Sequence, residues 1–135
     1  GVQLEVGSVA TDFEHRSFGQ ELALCQRYFN RYNSETVNGH FFLAAGYNSS
    51  NAGARGSFPF TVPMRAIPSF ALSNLSHFQE LGSGKAMSSI TLADSGTGTN
   101  LTGLTVTFSS NTTAGFAHVI RAGSTSAYFE FSAEL

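Results

Sequence analysis

From residue 33 onward the apolar residues come in short runs, broken every few positions by Gly, Ser, Asn or Pro, and inside those runs they alternate. Phe58/Phe60/Val62, Phe70/Leu72, Ile90/Leu92, Leu104/Val106/Phe108 and Phe129/Phe131/Ala133 each place every second side chain on one face. A period of two is the signature of a half-buried strand, and the Ser/Thr-rich opposite face suits an antiparallel sheet with one wet side. The pattern predicts strands over 40–45, 57–62, 69–73, 88–92, 104–108, 115–120 and 127–133. Short strands at such regular spacing imply a mainly β fold, an antiparallel β-sandwich of jelly-roll type over residues 34–135. Pro59, Pro63 and Pro68 cluster around Met64-Arg65-Ala66. Each proline removes a ladder donor, so this stretch is expected to be an edge strand running into a bend.

One segment breaks the pattern. Between Ser17 and Tyr32, the residues Phe18, Leu22, Cys25, Phe29 and Tyr32 recur at steps of four and three, the spacing of one helix face. Ser17 and Gln20 have the form of a capping box, and Asn33-Ser34 is a plausible stop, so an amphipathic helix is expected over 17–33. A helix of that length is marginal alone in water, so its stripe has to be buried. Phe18, Leu22, Cys25, Phe29 and Tyr32 are therefore the expected oligomer interface, and a closed homotrimer is the expected assembly. Residues 1–16, opening on alternating Val2, Leu4 and Val6, read as an extended lead-in, the end of a preceding domain in a longer protein.

Composition narrows the function. Charged residues are 12% of the chain, about half the usual ~25%. The polar surface is therefore built mainly from Ser, Thr and Asn. With one Lys, six Arg and a net charge of −2, there is no electrostatic footprint for nucleic acid or an anionic membrane surface. No apolar run is long enough to span a bilayer, and the isolated domain is expected to be soluble. The lone Cys25 cannot form an intrachain disulfide and is expected to be a small buried hydrophobe.

Nothing in the chain spells out catalysis. The loop Asp94-Ser-Gly-Thr-Gly-Thr-Asn100 lacks the further acidic ligands of a calcium site, and no Lys follows its glycines as a phosphate loop would need. His15, His40, His77 and His118 are scattered without a metal-ligand spacing, and the carboxylates form no recognisable pair. There is no nucleophile-elbow motif. No cofactor, no metal and no enzymatic activity are expected. Arg65 is expected to be structural, pairing a carboxylate or strand-end carbonyls beside the prolines. Asn-x-Ser/Thr triplets begin at Asn48, Asn74, Asn100 and Asn111, as chance provides in a chain rich in these residues.

Three runs near the start, Val2-Gln-Leu-Glu-Val-Gly-Ser-Val-Ala-Thr11, Phe13-Glu-His-Arg-Ser-Phe18 and Glu21-Leu-Ala-Leu-Cys-Gln-Arg-Tyr-Phe29, resemble sequence found near the C-termini of bacteriophage tail-fibre and related virion proteins. Phe60-Thr-Val-Pro-Met-Arg-Ala-Ile-Pro68 looks like that family's first core strand and bend, and Phe129-Glu-Phe-Ser-Ala-Glu-Leu135 like its terminal strand. The likeness implies a helix leading from a preceding carbohydrate-binding-like jelly roll into a C-terminal β-domain. Asp12 departs from the family's usual proline and so loosens the lead-in. The resemblance implies a non-enzymatic virion module at a tail-fibre tip that attaches to a bacterial surface glycan; the alternative is a trimerisation, capping or decoration domain with no host contact. Sugar recognition needs hydroxyl-binding polar groups and an aromatic face on exposed loops. Two regions offer both, Tyr47, Asn48 and Asn51 in one and His77 with Phe78 in the other.

Overall fold

The computed structural model describes residues 6–9, 12, 15–36, 46–50, 53–81, 84–93, 97–110 and 117–134. Among the described residues one α-helix, α1 (Phe18–Gln26), is followed by strands β1 (Phe29–Asn33), β2 (Gly46–Ser50), β3 (Gly53–Pro59) and β4 (Ser69–Leu72). A one-turn 3-10 helix (Leu75–His77) leads into β5 (Phe78–Glu80), and then come β6 (Met87–Leu92), β7 (Leu101–Phe108), β8 (Ala117–His118), β9 (Ile120–Ala122) and β10 (Tyr128–Ser132). All the sheet pairings are antiparallel, so the chain is mainly β with one helix, as the alternation predicts. The predicted strand at 40–45 lies outside the described residues.

The start of α1 follows its sequence signal. Gln20 N donates to Ser17 Oγ at 3.3 Å while Ser17 N donates to Gln20 Oε1 at 2.9 Å, both halves of a capping box. Its end does not. The helix stops at Gln26, seven residues short of the expected boundary at 33 (33 minus 26), and Phe29 and Tyr32 belong to a strand. Asn30 Nδ2 donates to Gln26 O at 2.6 Å at the helix end. From Phe29 on, the backbone pairs with β10, Phe29 opposite Ser132 and Asn33 opposite Tyr128. The same residues thus satisfy a period of two: Asn30 is buried and Tyr32 half-buried, while Phe29, Arg31 and Asn33 face outward. Pairing with a distant strand outweighs the local helical spacing.

Three sheets form, in the orders β1-β10-β4, β6-β7-β3-β2-β8 and β5-β9. The β3–β7 pairing is the longest, from Gly53 opposite Thr107 to Pro59 opposite Leu101. β3 lies upstream of the predicted 57–62 because Phe60 leaves the ladder, its N–H donating to Asn100 O at 3.0 Å. Residues 63–68 form the expected bend but no edge strand: β3 ends at Pro59 and lies inside its sheet, between β7 and β2. The predicted strand at 115–120 is broken at Val119 into β8 and β9, which enter different sheets.

Phenylalanine builds the core. Phe58, Phe60, Phe78, Phe108, Phe129 and Phe131 are all buried, together with Leu104, Val106, Ile90 and Ile120. Phe131 of the three-stranded sheet is stacked with Phe58 of the five-stranded sheet, centroids 5.8 Å apart, and meets Phe60 edge-on at 5.1 Å. Tyr32 enters the same cluster, 4.5 Å from Phe58 and 6.1 Å from Phe131. Each such ring withdrawn from water stabilises the fold by roughly 1.5–3 kcal/mol. The fully buried Thr102 keeps its hydroxyl within hydrogen-bonding range of Thr97 Oγ1 and Gly103 O, at 3.3 and 3.4 Å.

Candidate functional site

The two regions expected to bind sugar have different fates. Tyr47 and Asn48 lie in β2, paired with Arg55 and Ala54 of β3, and a register irregularity follows between Asn48 and Ser50. They are on a strand rather than a loop; their side chains, and Asn51, lie outside the described residues. Phe78 is 1% exposed and stacked on Phe129, centroids 4.9 Å apart, so it is a core residue and cannot stack on a ligand. The cause is the strand β5, which begins at Phe78 and turns that side chain inward. His77, one residue earlier, is half-buried on the 3-10 turn with Nδ1 3.0 Å from Ser73 Oγ. Asn74 caps that turn, its Oδ1 accepting from Ser76 N at 3.0 Å and from Ser76 Oγ at 2.9 Å. These groups hold the turn in shape.

A buried ionisable pair joins two sheets. Glu80 of β5 faces His118 of β8, Oε1 to Nδ1 2.9 Å, with both side chains only 9% exposed. The Phe108 ring lies against the imidazole, centroids 5.2 Å apart. His118 Nε2 is buried and has no hydrogen-bond partner among the described residues. The pair joins β5 to β8, at the edge of the five-stranded sheet. Beside it Arg121 donates through Nη2 to Gln79 Oε1 at 3.1 Å. Among the described residues no group of three or more His, Cys, Asp or Glu could hold a metal ion.

The outer face of the three-stranded sheet carries a polar network that the sequence did not announce. The Arg31 guanidinium lies over the Tyr128 ring at 3.9 Å, meets Glu130 at 3.1 Å and donates to Asn33 Oδ1 at 2.9 Å. Cross-strand register produces it, for Arg31 is opposite Glu130 and Asn33 opposite Tyr128. On the inner side, burial pushes the Tyr32 hydroxyl above its ordinary pKa of 10.0, and Thr61 opposes that shift in part. The same hydroxyl has no well-formed hydrogen bond among the described residues.

The remaining surface of note is apolar. No residue of α1 is buried. Phe18 is 82% exposed, Ile67 66%, and Leu22, Leu24, Tyr28 and Phe29 are also exposed. Cys25, expected to be buried, is exposed too, because the helix face that carries it is not laid onto the β-domain. Of the five residues expected at an oligomer interface, Phe18, Leu22 and Cys25 stay together on the helix and Phe29 follows on β1, but Tyr32 is withdrawn into the core. Arg65 N donates to Arg27 O at 2.8 Å, which ties the proline-rich bend to the end of the helix. The Arg65 guanidinium sits 5.3 Å from the Tyr28 ring centroid and makes no ion pair among the described residues, so the expected carboxylate partner is replaced by an aromatic one. No described helix is long and apolar enough to cross a membrane. No protein family, curated protein or solved structure matches this chain.

Proposed function

We propose that this chain is a non-enzymatic bacteriophage virion module, placed at a tail-fibre tip as a homotrimer and attaching to a bacterial surface glycan. Its β-domain is proposed to be a jelly-roll-like sandwich that presents its loops to the host. The observation that carries the reading is the meeting of two family-like runs in one core. Phe60, from the run 60–68, packs edge-on at 5.1 Å against Phe131, from the run 129–135. Segments far apart in the sequence that resemble the same family thus behave as parts of one structural unit. A surface rich in Ser, Thr and Asn, with few charges, supports a neutral polar ligand over an ionic one.

The test is retention of the full chain on an array of bacterial lipopolysaccharide and capsular glycans, alongside adhesion to cells displaying any glycan that scores. Retention competed away by the free sugar is the expected result. No retention on any glycan, from protein that is folded and self-associated, would leave the capping or decoration reading in its place.

A further inference from the structure

The sheet β1-β10-β4 has an outer face whose relief follows from its register. Phe70, Phe129 and Phe131 turn into the core, so the side chains alternating with them stand on the other side. There Phe29, Ser132 and Ser69 make one cross-strand row, and Arg31, Glu130 and Ala71 make the next. Rows on one face are about 7 Å apart and strands about 5 Å, so two rows on two strands have the footprint of one six-membered sugar ring. Ser132, Ser69 and Ala71 are small and leave a low corner on the β4 side. Phe29, 43% exposed, rises on one side of that corner, and Glu130 with Arg31 stands on another.

The polar groups around this corner are held in place but not saturated. Arg31 is pinned by the Tyr128 ring, by Asn33 Oδ1 and by Glu130 Oε1. A guanidinium has more N–H donors than those contacts take, and Glu130 keeps its Oε2 without a partner among the described residues. Ser69 Oγ donates to Ser132 O at 3.1 Å and so still offers an acceptor, while Ser132 Oγ accepts from Glu134 N at 3.5 Å and so still offers a donor. Donors and acceptors are thus mixed over a patch whose two charges cancel. A hydroxyl suits that mixture, since it can accept from the guanidinium and donate to the carboxylate, whereas a charged ligand group meets one charge of its own sign. An exposed ion pair adds little to the stability of a fold, so this fixed geometry is free to position a ligand. We infer that this face seats one neutral pyranose residue of a glycan, with the C–H side of the ring on Phe29 and two neighbouring hydroxyls on Arg31 and Glu130. The inference rests on the glycan-attachment reading and puts the contact on a sheet face instead of the loops. Phe29, expected at an oligomer interface, is assigned to the ligand.

The experiment sets the full chain and three variants on an array of neutral and acidic bacterial oligosaccharides. Phe29→Ala removes the ring, Glu130→Gln removes the charged acceptor at nearly constant shape, and Ala71→Arg fills the low corner from an exposed position. Each is expected to weaken retention on a neutral glycan roughly tenfold or more while keeping essentially the wild-type melting curve. Amide shifts on adding the retained oligosaccharide should centre on Phe29, Arg31 and Glu130, and retention should not fall as salt is raised. Wild-type retention that the folded variants keep overturns the inference and leaves glycan attachment to another part of the chain. Retention confined to acidic glycans, or lost at high salt, overturns it as well, because the ligand is then an anion. A folded wild type retained on no glycan removes the attachment reading itself, and this site with it.

Discussion

Glu80 and His118 hold each other inside the protein at 2.9 Å, and removing Glu80 takes from the buried His118 Nδ1 the partner it has there. Glu80→Ala is expected to lower stability by about 3–5 kcal/mol, read as a shift in the urea midpoint, and Glu80→Gln by less because an amide oxygen still accepts from Nδ1. A loss no larger than that of an exposed pair would show that the contact fastens nothing. Tyr32 adds a dependence on pH. Its hydroxyl is held above 10.0, so the folded chain keeps a proton that the unfolded chain releases on the alkaline side. The associated stability is complete below the unfolded value and is lost as pH rises through the folded one. Tyr32→Phe should flatten that alkaline decline in a series of melting curves, and an unchanged slope would refute the assignment. Neither residue was legible as a site. Glu80 and His118 are 38 positions apart and stand in no motif; only the pairing of β5 with β9, and of β8 with β2, sets them face to face.

Local signals fixed where α1 begins but not where it ends. The capping box at Ser17 is a short-range device, complete within four residues, and it forms as its residue types dictate. The exit is decided elsewhere: Phe29 and Tyr32, three apart, suit one helix face, but the register with β10 makes 29–33 a strand and puts the two on opposite faces. The same competition hid β2 and β5. Gly46–Ser50 and Phe78–Glu80 read as turn chemistry in isolation and become strands only through their partners β3 and β9. Ser17→Ala should destabilise α1 by about 1 kcal/mol, seen as faster hydrogen exchange at the amides of the first turn. Because the helix buries nothing in the β-domain, the exchange of β3 and β7 amides should stay unchanged. Coordinated loss of protection across both would show that the helix and the sheets unfold as one.

Across the whole molecule, the alternating Phe runs gave a reliable outline of the core, since burial on one face of a strand is written directly in the sequence. Phe58, Phe129 and Phe131 were read as inward-facing and are buried. Which sheet each strand joins was not written there, because crossovers place sequence neighbours apart. Phe131 spans that division, touching Phe58, Phe60 and Phe70, and Phe131→Ala should cost about 3–5 kcal/mol through the cavity it leaves. A loss under about 1 kcal/mol by urea titration would mean that the rings close the gap by moving. The central position of β10 has a further consequence. It lies between β1 and β4 although it begins 95 positions after the end of β1 (128 minus 33) and 56 after the end of β4 (128 minus 72), so those strands emerge from the ribosome long before the strand that pairs them exists. Until residues 128–132 have been synthesised and have cleared the exit tunnel, Phe29–Asn33 and Ser69–Leu72 have no sheet to join. Completion of this sheet thereby waits for the synthesis of β10, and a ribosome that stops short of it yields a chain with two open strand edges rather than a smaller folded one.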